Sequence, residues 1–378
     1  MISGSERDAL HGVRILDFSR VLAGPFATMM LADRGAEVTK VERPGTGDET
    51  RGWGPPYDSR GNATYFQSVN RNKASLVLDL RSRGDVRRAL ELAADADVVV
   101  ENFRPAVMNG LGLGYDTLAA ANPRLIYCSI TGFGPGAGAE LPGYDLLVQA
   151  VGGLMSITGT ADGEPQKVGV ALVDILTGLF ASVGILAALR HAAATGEGQR
   201  VEVNLLSCLL SALVNQASGY TIAGAVPDRM GNAHPSIAPY QLYPTRAGEI
   251  VIAVGNDRQF AALTAVLGAP ELAADPRYAT NAARVANRDA LTRALIGALA
   301  ARPAAEWALR LTAVRVPAGV VNDVAGAFAL AESLGIEPVV DVPSATGADH
   351  PPVRLTRNPI GLSKTPPRYR SGPPPLGG

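Results

Sequence analysis

Short apolar runs alternate with helix-period stretches along the first half of the chain. From Gly12, VRILDF is followed by a break at Ala23-Gly24-Pro25, a helical stretch to Asp33, and AEVTKVE. Strand, glycine turn, helix and strand in that order predict a βαβ opening and hence a parallel sheet. Two further helix-then-strand units follow, ending in VVVENF and LIYCSI. Those strands are apolar almost throughout, as expected for a sheet covered on both faces. Their polar and glycine residues sit at the C-terminal ends, Asp17 to Val21, Asn102 to Arg104 and Thr131 to Gly134. In open parallel sheets that edge is where ligands bind, so the three segments are expected to converge on one crevice. GQRVEVN then predicts one more strand, and LLSCLLSALVNQASGYTIAG one long apolar helix. After residue 224 the texture changes to a loop, two strands and a run of helices, which reads as a smaller α+β domain. VPAGVVND and the Pro- and Gly-rich tail are expected to return to the first domain.

The segment VGVALVDILTGLFASVGILAAL, residues 168–189, holds a single ionisable side chain, Asp174. An ionised acid in apolar company costs free energy unless something nearby stabilises it. The spacing predicts a short strand, VGVALV, giving way to a helix with Asp174 as its N-cap. A catalytic or ligand role is compatible with this, because a helix N-terminus favours an ionised carboxylate. The stretch is also long enough to suggest a transmembrane helix, but Asp174, Gly169, Gly178 and Gly184 break it, and no membrane association is expected.

Composition narrows the function. Hydrophobic residues make up 47% and charged residues 18% of the 378, and the 42 Gly and 27 Pro imply many tight turns. The net charge of -1 gives no general field for nucleic acid, so an anionic ligand must be held by local groups. Arg43, leaving the second strand into a Pro-Gly turn, is placed for a phosphate. Arg71, Lys73 and Arg81 read singly as solvated charges and jointly, with Arg43, as a pocket for a polyanion. Glu42 ends the second strand as a ribose-binding acid would, yet the G-x-G-x-x-G fingerprint is absent, which argues against a nicotinamide dehydrogenase. Two cysteines, Cys128 and Cys208, and four scattered histidines suggest neither a disulfide framework nor a metal site. The N-terminus has no apolar secretory region, so a cytoplasmic enzyme is expected.

Read together, VRILDFSRVLAGPFATMMLADRGAEVTKVERPGTGDETRGWGPP, NRNKASLVLDLRS, ENFRP, NPRLIYCSITGFGP, GYDLLVQAVGGLMSITG and ALVDILTGL resemble the class III CoA-transferases, the group of formyl-CoA and crotonobetainyl-CoA transferases. GNAHPSIAPYQ and VGNDRQFAAL are closer to members that use small dicarboxylates, such as succinyl-CoA:glutarate CoA-transferase. The resemblance implies a Rossmann-like large domain of residues 1–205 and 325–378, a linker helix 206–224, a small domain 225–324, and a homodimer of interlocked rings. It implies transfer of CoA from an acyl-CoA, plausibly succinyl-CoA, to a small carboxylic or dicarboxylic acid, with CoA as substrate and neither cofactor nor metal. Asp174 matches the family's nucleophile, which forms an anhydride and then an aspartyl-CoA thioester.

The CoA contacts fall on Val21, Leu22, Ala23, Arg43, Leu78 to Arg81, Asn102, Phe103, Arg104, Thr131, Gly132, Phe133 and Gly134. Gly231, Asn232, His234 and Ser236 fall on a mobile substrate loop whose backbone N–H groups are placed to steady tetrahedral intermediates. Leu22 stands where formyl-CoA transferase has glutamine and Gly110 where it has arginine, so acceptor positioning and one phosphate contact do not carry over. α-Methylacyl-CoA racemases place a proton-transferring histidine where this chain has Tyr144, and tyrosine is a poor base near neutral pH. Transfer is favoured over racemisation, and a catalytically inactive acyl-CoA-binding protein is the reading outside enzymology. Asp145 and Tyr144 read as structural. His234 is either a packed loop histidine or an acceptor-carboxylate contact, and Trp53 and Tyr65 either flank the thioester end or belong to the core.

Overall fold

Six strands, β1 (Arg14–Asp17), β2 (Glu37–Glu42), β3 (Lys73–Val77), β4 (Val98–Glu101), β5 (Ile126–Thr131) and β6 (Arg200–Asn204), form one parallel sheet in the order β3-β2-β1-β4-β5-β6. The order reverses between β1 and β4, and in doubly wound folds such a switch opens a crevice at the strand C-termini. The computed structural model describes residues 8–347 and 349–378, divided into two compact units. This sheet belongs to the first, which runs to Leu154 and adds Lys167–Ala225 and Glu337–Gly378. Met155–Gln166 and Val226–Ile336 make the second.

Apolar clusters cover both faces of the sheet. On one, Ile15, Val98, Val100, Ile126 and Cys128 meet Ala27 and Leu31 of the helix Ala23–Ala32 and Ala181, Ile185 and Ala188 of the helix Leu172–Thr195. On the other, Leu16, Val99 and Tyr127 meet Ala89 and Ala93 of the helix Arg83–Ala94. The helix Leu172–Thr195 is long and apolar enough to cross a bilayer, but its stripe of Thr177, Gly178, Ala181, Ile185, Ala188 and Ala192 is buried in this core. Small residues on that stripe allow close approach: a Cβ on Gly178 would lie 2.6 Å from the carbonyl oxygen of Ala23. The helix ends at Gly196, whose φ of +82° is the left-handed cap glycine adopts without strain.

Several sequence expectations need correction. Residues 168–171 do not form a strand, because the chain there is held by a side chain rather than a ladder: Gln149 Oε1 accepts from the Val168 N–H at 2.9 Å. Asp174 is not an N-cap but the third residue of its helix, and the cap position, Ala171, has no side-chain acceptor. The apolar helix after β6 is two, Leu205–Ala212 and Val214–Ala223, bent by 84° where Val214 takes a φ of +40°. VPAGVVND does not return to the first unit. Its strand β9 (Ala318–Val320) pairs with β8 (Glu249–Ala253) beside β7 (Tyr240–Pro244) in an antiparallel sheet of the second unit, packed on Phe260, Leu263, Leu291, Leu295, Trp307 and Leu311.

Arg71 and Lys73 are buried, not solvated, and neither lines a cavity with Arg43. Arg71 grips both oxygens of Asp33, at 2.9 and 2.7 Å, and donates to the Thr356 carbonyl at 3.1 Å. Asn72 and Asn358 also donate to Asp33, at 2.8 and 2.9 Å. Four donor atoms thus meet on one carboxylate, and through Asn358 and the Thr356 carbonyl they tie the C-terminal segment to the turns before β2 and β3. Beyond it the tail runs along β3, where Ser75 N–H donates to the Gly378 carbonyl at 2.7 Å. Removing the acid alone leaves a buried guanidinium without its counter-ion, so Asp33→Ala should lower stability by about 3–5 kcal/mol. Urea unfolding measures this, and a loss under about 1 kcal/mol would contradict the assignment of Asp33 as the anchor.

Candidate active site

The ends of β1, β4 and β5 meet as the sheet order requires. Arg20, Val21, Leu22 and Ala23 after β1, Asn102, Phe103 and Arg104 after β4, and Thr131, Gly132, Phe133 and Gly134 after β5 line one cavity of about 360 Å³, together with Tyr144 and Asp174. Asp17, at the end of β1 itself, is excluded: it is buried under Ser19, Thr28 and Lys73. One wall depends on glycine, because a Cβ on Gly132 or on Gly143 would stand 2.5 Å from the other's Cα.

A second cavity, of about 370 Å³, adjoins the first through Arg20 and Phe103, which line both. Its lining includes Arg43, Leu78, Asp79 and Arg81. The residues expected to hold CoA thus divide between two cavities with a shared wall. Arg43 donates to Thr46 Oγ1 at 2.7 Å and to the Gly47 carbonyl at 3.0 Å, leaving its terminal nitrogens toward Glu49. Arg81 is exposed and paired with Asp79. Glu42, the candidate ribose acid, is fully engaged by Arg51, Ser75 and the Asp48 N–H. Burial pushes its carboxyl up, but those donors outweigh it and hold it below the usual range.

Asp174 lies half-buried in the first turn of its helix. Burial, and then the charge of Asp145, push its carboxyl up to about 7. Asp145 opens the helix Asp145–Val151 and reaches across to the start of the Asp174 helix. Its Oδ1 accepts the N–H groups of Val173 at 2.7 Å and Asp174 at 3.2 Å, and its Oδ2 accepts from Gln149 Nε2 at 2.6 Å. Asp145 is therefore the cap that sequence spacing assigned to Asp174. Gln149 is fully buried and joins this carboxylate to the chain at Val168, fixing the entry to the helix. Neither role has a local signature, since the capping pair is 29 residues apart.

Tyr65 packs against the cluster of Leu22, Met29 and Val69, beside Ile175, and meets Trp53 edge-on at 5.4 Å between ring centroids. Burial, then the charges of Asp174, Asp145 and Asp48, raise its hydroxyl above the usual range. Tyr144 is 64% exposed at the mouth of the first cavity. Gly231, Asn232, His234 and Ser236 belong to the second unit. There Gly231 takes a φ of +60°, the His234 ring packs on Tyr240 at 5.3 Å, and His234 Nδ1 accepts from the Ser236 N–H at 3.1 Å. Among the described residues no group of three or more His, Cys, Asp or Glu is arranged to hold a metal ion.

The chain is 43% identical, over 99% of its length and 94% of the relative's, to a succinate–glutarate CoA-transferase of Agrobacterium fabrum. It is 44% identical, over 95% of its length and 83% of the relative's, to the succinyl-CoA:glutarate CoA-transferase of Mus musculus. A crystal structure of a CAIB/BAIF family protein from Brucella suis superposes with a TM-score of 0.85 at 43% identity, covering 98% of this chain and 97% of that one. The model of CoA-transferase family III matches residues 10–378. With that match spanning nearly the whole sequence, the chain belongs to CoA-transferase family III.

Proposed function

We propose that this CoA-transferase moves CoA from an acyl-CoA, succinyl-CoA being the favoured donor, to a small carboxylic or dicarboxylic acid, with Asp174 as the covalent carrier. The observation that carries the reading is Asp174 itself: an acid of raised basicity, half-buried at the cavity into which three strand ends open. The two relatives named above act on succinate and glutarate, which supports small dicarboxylates as substrates.

In the proposed cycle one Asp174 oxygen attacks the thioester carbonyl, the C–S bond breaks and CoA leaves as thiolate. The resulting mixed anhydride is attacked by that thiolate at the Asp174 carbonyl carbon, which expels the donor acid and leaves an aspartyl-CoA thioester. The acceptor carboxylate attacks this thioester, the C–S bond breaks to release CoA thiolate, and a second anhydride forms. The thiolate then attacks the acceptor's acyl carbon and frees Asp174 as carboxylate. Acyl activation is conserved throughout, and no net proton is exchanged.

The adjoining cavity suits the nucleotide end of CoA. Its lining offers the Arg20, Arg43 and Arg81 guanidiniums to phosphates and the apolar surfaces of Leu78, Leu80 and Phe103 to an adenine ring. Arg104 lines the Asp174 cavity itself. We propose Val21, Leu22, Ala23, Asn102 and Thr131 to Gly134 as the walls along the pantetheine path. A homodimer belongs to the same proposal. Val183, Val214, Tyr220 and Ile222 on the helices of the first unit are 61–85% exposed, an apolar surface of the kind a partner covers. Sedimentation should then give about twice the chain mass of 39.1 kDa.

Asp174→Ala should abolish exchange, while hydroxylamine added with acyl-CoA should convert Asp174 of the wild-type protein to a hydroxamate detectable by peptide mass spectrometry. Full turnover in the Ala variant would end the proposal. Since the nucleophile must be ionised, kcat/KM for acyl-CoA should be level above about pH 8 and fall about tenfold per pH unit below about pH 6. A profile flat from pH 5 to 8 would contradict it.

The same carboxyl sets a stability test. Its folded-state pKa of about 7 lies above the roughly 3.9 of an unfolded Asp, so ionisation opposes folding. The penalty is absent below about pH 4, grows as pH rises, and is complete above about pH 7. A shift of that size corresponds to about 4 kcal/mol, which solvent screening at its partly open position reduces to about 1–2. Asp174→Asn should therefore be more stable than the wild type by about 1–2 kcal/mol at pH 8 and equal to it at pH 4, as read by urea unfolding.

A further inference from the structure

Val21 is a β-branched residue with a φ of +68°, in the left-handed region that such side chains rarely enter. It lies in the loop that lines the Asp174 cavity. A strained residue beside a reacting group persists only where its surroundings hold it there, and here those restraints are visible. The Val21 N–H donates to Asp48, 3.2 Å from Oδ2 and 3.4 Å from Oδ1. Asp48 also accepts the Thr50 N–H at 2.9 Å and the Thr50 hydroxyl at 2.7 Å, and its Oδ2 stands 2.8 Å from Lys40 Nζ. Lys40 in turn donates to the Ser19 carbonyl at 2.7 Å. Between these two, Asn102 accepts the Arg20 N–H at 2.9 Å and donates to the Arg20 carbonyl at 2.7 Å. Three consecutive residues of the loop are thus pinned through their backbone by side chains from three other segments.

The loop conformation reaches Asp174 through packing. Val21 and Leu22 join Met29 and Val69 in a cluster that includes Ala171 and Ile175, residues on either side of Asp174 in the chain. Lys40 and Asp48 belong to the lining of the adjoining cavity, but their side chains expose no surface and are spent on each other, Thr50 and the Ser19 and Val21 backbone, so their influence passes through the backbone they hold.

We propose that Asp48, fixed by Lys40 and Thr50, is a positioning residue for the transfer reaction: it locks Val21 in its left-handed conformation and so sets the wall of the cavity against which Asp174 reacts. This rests on the reading of that cavity as the reacting site. The function of the clamp is in turnover rather than in capture of acyl-CoA, because the groups that the adjoining cavity exposes to a nucleotide include the Arg43 and Arg81 guanidiniums and not the buried Lys40 and Asp48 side chains.

The test compares kcat and the acyl-CoA KM of purified Asp48→Asn, Thr50→Val, Thr50→Ser and the double variant Asp48→Asn/Val21→Gly, using succinyl-CoA with glutarate. Asp48→Asn should lower kcat at least tenfold with KM changed less than threefold. Thr50→Val, which keeps the shape of the side chain and removes one donor to Asp48, should lower kcat at least threefold, and Thr50→Ser should recover most of that loss. Glycine takes a positive φ freely, so the double variant should turn over at least threefold faster than Asp48→Asn. Should Asp48→Asn fail to fold, the two Thr50 variants decide alone. A folded Asp48→Asn or Thr50→Val with kcat within twofold of wild type overturns the clamp, as does a double variant no faster than the single. Asp174→Ala measured alongside separates the two readings: if it is inactive while the clamp variants are normal, only the clamp is lost, whereas full turnover there removes the site itself.

Discussion

The carboxylate of Asp145 is the constraint on which the start of the Asp174 helix depends. The helix that carries Asp174 begins at a residue with no capping side chain, and its first N–H groups are satisfied by Asp145 from the neighbouring helix. One group therefore does two physical jobs. It holds the backbone of Asp174 by accepting that residue's own N–H, and its negative charge opposes ionisation of the Asp174 side chain. Two acids so close are kept chemically distinct by their donors: Asp145 has three, while Asp174 has the helix N-terminus and partial burial. Under the proposed cycle this difference has a direction. Acylated or thioesterified Asp174 is uncharged, so covalent capture relieves both the desolvation and the repulsion that raise the free energy of the free carboxylate.

Around that pair the sheet supplies rigidity where the proposed chemistry would need it. Parallel strands deliver three loops to one edge, and the loops are tied down by buried side chains and by close backbone approach. The first is pinned through its backbone by Lys40, Asp48 and Asn102. The loop after β5 is set by the contact of Gly132 with Gly143, which leaves no room for a side chain on either. Asn102, at the end of β4, serves its own loop and the first one together. A cavity wall fixed by buried hydrogen bonds loses little further freedom when a long, flexible substrate enters, which is a condition for positioning to contribute to rate.

Much of this was legible in the residues. The apolar runs located β1, β2, β4, β5 and β6, and the polar strand ends that line the Asp174 cavity were visible as a set. Asp174 stood out because nothing else in residues 168–189 ionises. What sequence spacing misassigned was the cap, because a helix start reveals that an acceptor is wanted but not that it arrives from Asp145, 29 residues earlier. The strand expected at VGVALV failed for a related reason: its apolar residues were read as a ladder, whereas Gln149 holds the chain there as coil. The bend between Ala212 and Val214 was invisible too, since the apolar pattern runs through it without glycine or proline.

The basic residues show why type alone is a poor guide to role. Arg43, Arg71, Lys73 and Arg81 are near one another in the early sequence, and a polyanion site is a natural reading of all four. Burial separates them. Arg71 is closed on Asp33, and Lys73 sits under Asp17, with burial pulling its amine down to about 8 although Asp17 partly restores it. A cation in that setting is committed to its partner, because withdrawing it would strand a buried carboxylate. Arg43 and Arg81 remain partly or largely in solvent, where binding a phosphate costs a weak surface pairing at most. Under the proposed function, a chain of net charge -1 would meet a polyanion through the few guanidiniums that its fold leaves uncommitted, while the buried cations serve the fold.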